Sequence, residues 1–362
     1  MRFLSLLAVA AAAVCCLADN DVSLLARSLA GQSAQTNAKN TWVVLVAGST
    51  SYSNYRHQAS VCHAYQVAHK YGVPDDHIIV FMADDIADNR MNPFPGQIFN
   101  YFYIKGGNNI NVYEGVPKDY TGKNATADNL VAVLTGQKPL TGSGKTLEST
   151  ASDNVFFYYD DHGNSDIIAM PYGRYFTGSK DMKTVLETMK SKRMFKNLVM
   201  FVQACYSGSM FYKQDLPPNV YIATSAPTDD SAYACWMDST LRTFVTSCWP
   251  RGWLHPMDEV SPATLTFDRL FADAYEFTRN ATTLIRPTEE TIVERLPPRM
   301  EIRRGAPLDM PHTLLLMDDR TDSVLSLAEK AKDTLEKVYD FDLMLGGGHI
   351  AGWRVSGETK AA

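Results

Sequence analysis

Cysteine is scarce in this chain: six residues in 362, and Cys15 and Cys16 fall inside an apolar N-terminal run. The other four, Cys62, Cys205, Cys235 and Cys248, are too few for a disulfide framework of the kind that holds small secreted domains together. No second Cys or His stands near His162 or Cys205 along the sequence. The closely spaced ligand pairs of a metal centre are therefore missing, and neither a metal nor a cofactor is expected. Basic clusters are missing too. Lys and Arg number 34 against 40 Asp and Glu, a net charge of −6, which leaves no footprint for nucleic acid. Past residue 17 no apolar run approaches the length that crosses a bilayer. The polar ending Gly357 to Ala362 is expected to carry no lipid-anchor signal. Internal repeats and low-complexity tracts are absent.

The N-terminus reads as an address. Met1-Arg2 is basic, Phe3 to Leu17 is apolar, and polar Asp19-Asn20-Asp21 follows at once. That pattern predicts a signal peptide over 1–18, cleaved after Ala18, and a secretory route. Residues 19–40 are small and polar and predict a flexible leader. One folded domain is expected over 41–305, and a short C-terminal segment over 306–362. Asn124-Ala125-Thr126 and Asn280-Ala281-Thr282 have the form of glycosylation acceptors.

Within the domain, apolar runs rich in Val and aromatics alternate with helical periodicity. Trp42 to Gly48, His77 to Ala83, Phe156 to Asp160, Val199 to Gln203 and Val220 to Ser225 read as buried parallel strands. A helix starts near Arg56 with Val61, Cys62, Tyr65 and Ala68 on its apolar stripe and stops at Gly72. On that stripe Cys62 reads as a buried thiol. Asn89 to Tyr120 reads as a long excursion. Thr126 caps a helix closed by Gly136. Ser179 is expected to cap a helix carrying Met182, Val185, Leu186 and Met189. Ser261-Pro262 opens another, running to about Thr278. Gly142-Ser143-Gly144-Lys145-Thr146 has Pro139 where a phosphate loop needs glycine, so it reads as a turn. The alternation predicts an α/β fold on a mainly parallel sheet.

Two of the strands end in chemistry. One runs into Asp160-Asp161-His162-Gly163 and the other into Ala204-Cys205-Tyr206-Ser207-Gly208. The ends of parallel strands share the sheet edge where open α/β folds place their sites. A thiol attacks best as thiolate, and a nearby His can take its proton and return it to a leaving amine. The oxygen that becomes negative needs fixed donors, which backbone amides supply. Gly163 allows close approach, and Gly208 is expected to permit the sharp turn that exposes Cys205.

These residues carry a resemblance. Val46-Ala47-Gly48-Ser49, Asn54 to Ala59, Cys62 to Gln66, Gly115 to Gly122, Asp161-His162-Gly163 and Ala204-Cys205 through Met210 occur in order. Ser231 with Tyr233-Ala234-Cys235 extends the series. Over about residues 41–240 the chain resembles the legumain family of asparaginyl endopeptidases, in the caspase-like clan of cysteine peptidases. The resemblance implies a caspase-like three-layer sandwich. It implies Cys205 as nucleophile, His162 as its partner, Asn54 as support for the His, and Gly163 and Cys205 as oxyanion donors. Arg56, His57, Gln203, Ser231 and Tyr233 would bind substrate, and Asp161 is similar to the acid associated with ligation. Also implied are a zymogen, a monomer, peptide or protein substrates, inhibitors of the cystatin type, and a lysosome- or vacuole-like or extracellular location.

Two departures bear on specificity. Gln203 stands where the family has Glu, and Thr246-Ser247-Cys248-Trp249 stands where the family carries an acid before Trp. With both acids gone, Arg56 is less balanced, and Asp should gain on Asn as substrate. Tyr206, after Cys205, also replaces an acid. The tail is expected to start a helix at Asp322 or Ser323 and to dock over the site edge through Asp309, Asp318, Asp319 or Asp322, or else to pack elsewhere. The rival readings are the catalytic subunit of a lipid-anchor (GPI) transamidase and an inactive peptidase-like binding protein.

Overall fold

The computed structural model describes residues 38–100, 110–212, 214–216, 219–259, 270, 272–278 and 301–304. The signal peptide, most of the leader, Asn280, the helix start at Ser261 and the segment 306–362 lie outside the described residues.

In chain order the elements are β1 (Thr41–Ala47), α1 (Tyr55–Lys70), β2 (Ile78–Met82), β3 (Tyr120–Thr121), α2 (Ala127–Leu134) and β4 (Asn154–Asp160). Next come β5 (Gly163–Asn164), β6 (Ile167–Ile168), β7 (Phe176–Thr177), α3 (Lys183–Ser191), β8 (Asn197–Gln203) and β9 (Val220–Thr224). A hairpin of β10 (Ala234–Asp238) and β11 (Thr243–Ser247) leads into α4 (Cys248–Glu259), and β12 (Glu301–Arg304) returns to the sheet. The central sheet has the order β12-β9-β8-β4-β1-β2-β3. Only β12 runs antiparallel; the other six strands are parallel.

The central strands β1, β4 and β8 are buried along their whole length because both faces are covered. Alternate residues divide between two cores. Leu45, Tyr158 and Phe201 pack with α1 and with Trp249 and Trp253 of α4. Val46, Phe157, Met200 and Val202 pack with Leu130 and Val133 of α2 and with Val185, Leu186 and Met189 of α3. Each such side chain contributes about 1.5–3 kcal/mol on burial. The result is an α/β fold of three layers with a mainly parallel sheet, the arrangement the sequence predicts.

Cys62 is fully buried, and burial pushes its thiol up to about 12. The hydroxyl of Thr126 accepts from the Asn129 amide as a helix cap. The Lys145 ammonium donates to the carbonyls of Asp75 and Ile78 (both 2.6 Å), which ties the glycine-containing turn to the fold. One cap differs from expectation. Thr177, not Ser179, accepts from the Asp181 amide; the Ser179 hydroxyl is spent on Asp166. No helix among the described residues is long and apolar enough to cross a membrane.

Candidate active site

The strand order reverses at the β1–β4 pair. From β1 the chain builds outward through β2 and β3, then returns to β4 and builds the other way through β8 and β9. A crevice forms outside the carboxyl ends of strands at such a reversal. Register aligns Ala47, Asp160 and Gln203 across β1, β4 and β8. The Asp161 amide continues the ladder to the Gln203 carbonyl (3.0 Å). Gly48-Ser49, Asp161-His162-Gly163 and Ala204-Cys205-Tyr206 therefore leave one edge side by side.

Asn54 arrives at this edge from the turn before α1. Its Nδ2 donates to the Thr50 carbonyl (2.9 Å), which fixes the amide so that Oδ1 faces His162 Nε2 (2.9 Å). An amide oxygen only accepts, so Nε2 carries the proton, and in the neutral ring Nδ1 keeps its lone pair. Burial, and then the nearby His57 and Arg56, hold His162 below the usual imidazole value against the pull of Asp161. The ring is half exposed, as a proton carrier must be.

Cys205 sits just past the end of β8, half-buried, with Sγ 3.7 Å from the Ala232 carbonyl. The turn that presents it is made at Tyr206, in the left-handed region at φ 56°. Gly208 does not make this turn, contrary to the sequence expectation; its amide donates instead to the Ala226 carbonyl (3.0 Å). Backbone ties hold the bulky residue there: the Tyr206 amide donates to the Asp230 carbonyl and the Ser209 amide to the Tyr206 carbonyl (both 2.8 Å).

Gly163 is required by contact. A Cβ on it would lie 2.5 Å from the Cys205 carbonyl oxygen and 2.9 Å from Ala204 Cβ. The β5–β6 hairpin also decides where its amide points. Ala169 N–H bonds the His162 carbonyl (3.0 Å), so the next pair, Gly163 with Ile168, falls at a non-bonded position of the antiparallel ladder. The Gly163 N–H therefore faces away from β6. The Cys205 amide has no acceptor among the described residues. Two amides near one thiol are the donor set that a developing oxyanion needs.

The remaining expected residues surround this centre. His57 is buried, its Nδ1 2.9 Å from Ser49 Oγ and 3.1 Å from Asp161 Oδ2, and its ring lies edge-on to His162 at 5.0 Å. Burial pushes Asp161 up, but His57 and further partners outweigh it and hold the carboxyl below the usual range. The donor atoms of His57, Asp161 and His162 lie within 4.8 Å of one another, close enough for a cation to bridge, although Ser49 and Asn54 already engage the two imidazoles. Along the sequence these two imidazoles stand far apart.

Arg56 is half-buried on the first turn of α1. Its nearest acceptor is the Ser53 carbonyl at 3.4 Å, and it makes no ion pair with any described residue. Burial lowers its pKa, while Asp160, Asp161 and Cys205 raise it, which places all three within its field. Gln203 is 4% exposed and its Oε1 has no partner among the described residues. Ser231 and Tyr233 flank Ala232, the residue whose carbonyl meets Cys205. The Ser231 amide donates to Asp230 (2.7 Å), and the Tyr233 carbonyl accepts from Cys248 N (2.9 Å).

Sequence reasoning missed the disulfide between Cys235 and Cys248, which joins β10 to the start of α4. It also assigned no role to Ser49 or Asp160. Asn124 is half-buried in the turn before Thr126.

Comparison with known proteins bears on this edge. Residues 41–289 match the model of the Peptidase C13 family, and a second model, a protein of unknown function (DUF1015), matches residues 270–362. Legumain from Rattus norvegicus is 41% identical over 220 residues, which is 60% of this chain and 49% of the relative. Vacuolar-processing enzyme delta-isozyme from Arabidopsis thaliana is 43% identical over 226 residues, 61% of this chain and 45% of the relative. The chain thus spans about half the length of these relatives. Caspase-1 from Spodoptera frugiperda aligns with a TM-score of 0.42 at 9% identity, covering 74% of this chain and 88% of that one. The matched span 41–289 holds every residue of the edge, from Gly48 to Cys248, and the chain belongs to the Peptidase C13 family.

Proposed function

We propose that the chain is a cysteine endopeptidase that cleaves after Asp or Asn through an acyl-enzyme on Cys205. The observation that carries this reading is the bond from His162 Nε2 to Asn54 Oδ1 (2.9 Å), which leaves Nδ1 to serve a thiol leaving the neighbouring strand. Cys205 gives its proton to Nδ1, and the thiolate attacks the substrate carbonyl carbon. The amides of Gly163 and Cys205 receive the oxygen that becomes negative. His162 then protonates the amine as the C–N bond breaks, and later takes a proton from the water that hydrolyses the thioester. Asp161, paired with His57 as a carboxylate, is a poor electrophile in this state, so hydrolysis is the outcome favoured over ligation.

Specificity follows from charge. Among the described residues Arg56 offers a cation without an ion pair, and beside Cys205 the β8 strand ends in the neutral amide of Gln203 with an unpartnered acceptor. Cys248, which stands before Trp249 in place of an acid, is consumed in the disulfide. A substrate Asp balances such a pocket better than Asn does. The apolar run at 3–17 and the vacuolar-processing names of the relatives support a precursor that travels the secretory route to a lysosome- or vacuole-like compartment. Glycosylation at Asn124, a zymogen form, monomeric state and cystatin-type inhibitors belong to the same reading.

Paired electrophilic peptide probes ending in Asp or Asn, read by intact mass, test it. The expected result is one label on the wild type, faster with the Asp probe, and none on Cys205→Ala. Labelling that persists in Cys205→Ala overturns the mechanism. A strict Asn preference near neutral pH overturns the specificity.

A further inference from the structure

We infer that Asp85 is a positioning residue for the Asn54–His162 pair and acts through the peptide bond between Thr50 and Ser51. The inference rests on the reading above and deepens it.

Ser51 has φ 79° and ψ 151°. That region is almost reserved for glycine, and a residue with a side chain stays there only where its surroundings over-determine it. The surroundings here are specific. Asp85 Oδ2 accepts from the Ser51 N–H at 2.7 Å, and Oδ1 accepts from Gln58 Nε2 at 2.7 Å. Gln58 is buried on α1, and its Oε1 accepts from the Asp84 amide at 3.1 Å. The carboxylate is therefore anchored to α1 with one oxygen and holds the loop with the other.

A trans peptide points its N–H and C=O in opposite directions. Holding the Ser51 N–H toward Asp85 aims the Thr50 C=O the other way, at Asn54 Nδ2 (2.9 Å). The Ser51 carbonyl accepts from the Asn54 amide (3.0 Å) and starts the turn Tyr52–Asn54. If the Thr50–Ser51 peptide turned over, the strain at Ser51 would relax. The Asn54 side chain would also lose the acceptor that orients it. Oδ1 would then no longer be fixed toward His162 Nε2, and the imidazole would lose the bond that sets its tautomer. Asp85 blocks that route because its carboxylate accepts from an N–H and repels a carbonyl.

The test compares wild type, Asp85→Ala, Asp85→Asn and Asp85→Ala with Ser51→Gly. Each is read by kcat and KM on an Asp peptide, by the pH profile of Cys205 alkylation with iodoacetamide, and by thermal melting. Asp85→Ala should lower kcat about tenfold with KM little changed, because a strained peptide released by about that factor turns over. Asp85→Asn keeps an accepting oxygen and should retain most of the rate. Gly at 51 removes the strain that drives the turn, so the double variant should recover to within about threefold of wild type. Equal losses in Asp85→Ala and the double variant, or a loss that follows only the melting temperature, overturns the proposal. Alkylation reads the effect without any peptide substrate. A protein inert to both peptide probes, whose alkylation profile still shifts in Asp85→Ala and recovers in the double variant, would sink the peptidase reading and keep this one.

Discussion

Asp160 and Asp161 are neighbours in sequence with opposite electrostatic fates. Asp160 accepts from the Tyr158 hydroxyl (2.7 Å) and from Ser247 Oγ (3.1 Å). Burial raises its pKa, His57, Tyr158 and Arg56 pull it back, and the balance lies at about 6. Asp161 meets the same burial, but its direct contact with His57 wins and keeps it ionised. An unfolded Asp titrates near about 4. Between that value and about 6 the fold therefore holds a proton at Asp160 that the unfolded chain releases. This contribution is complete below about pH 4 and is lost as pH rises through about 6, a swing of about 3 kcal/mol at most. Urea denaturation across pH 4–7 should show the wild type losing stability over that window and Asp160→Asn losing little; equal slopes would place the dependence elsewhere. At this scale the sequence was partly legible. Cys205 and His162 stood out because each ends an apolar run with a glycine close behind, Gly208 and Gly163. Asp160 did not, because all its partners but Tyr158 arrive from β11 and α1. The turn at Tyr206 was also hidden, since an aromatic residue gives no signal for a positive φ.

Among the elements, α4 was the hardest to foresee. Pro250 in its first turn is tolerated, but Pro256 lies inside, which argues against a helix taken alone. Packing overrides that preference. Trp253 meets Phe156, Tyr158, Phe201 and Trp249 with ring centres 4.9 to 6.3 Å away, and so locks α4 to β4 and β8. Trp253→Ala should cost about 3–5 kcal/mol in chemical denaturation, a loss typical of an emptied aromatic core position. A cost under about 1 kcal/mol would mean that the helix is held from elsewhere. The β10–β11 hairpin was missed for a related reason. It has no Asn-Gly or Asp-Gly signal, and Arg242 adopts φ 55° in its turn. β12 reads Glu-Ile-Arg-Arg, too short and too charged to stand out as a strand in the sequence.

For the molecule as a whole, the alternation of apolar runs and helical stripes made the α/β class legible. It did not disclose the strand order, because adjacency depends on which crossover each connection takes. The reversal between β1 and β4 is what brings Asn54 from one end of the domain to His162 from its middle, 108 positions apart. The Cys235–Cys248 bridge acts on the same scale. It closes a separation of 13 residues, which stabilises by about 3 kcal/mol, and it braces the segment whose Ala232 carbonyl meets Cys205. The proposed enzyme therefore needs one sulfur reduced and two oxidised at the same time. In a titration with a dithiol, peptide turnover should rise as Cys205 is freed and then fall, through KM, as the bridge opens. With Cys235 and Cys248 both changed to Ser, the falling limb should vanish; a fall that persists would assign it to another cause. With both outcomes in hand, such a molecule would be a band-pass filter for redox potential, silenced by oxidants and by strong reductants, and the reductant in an assay buffer would become a choice about which enzyme is being measured.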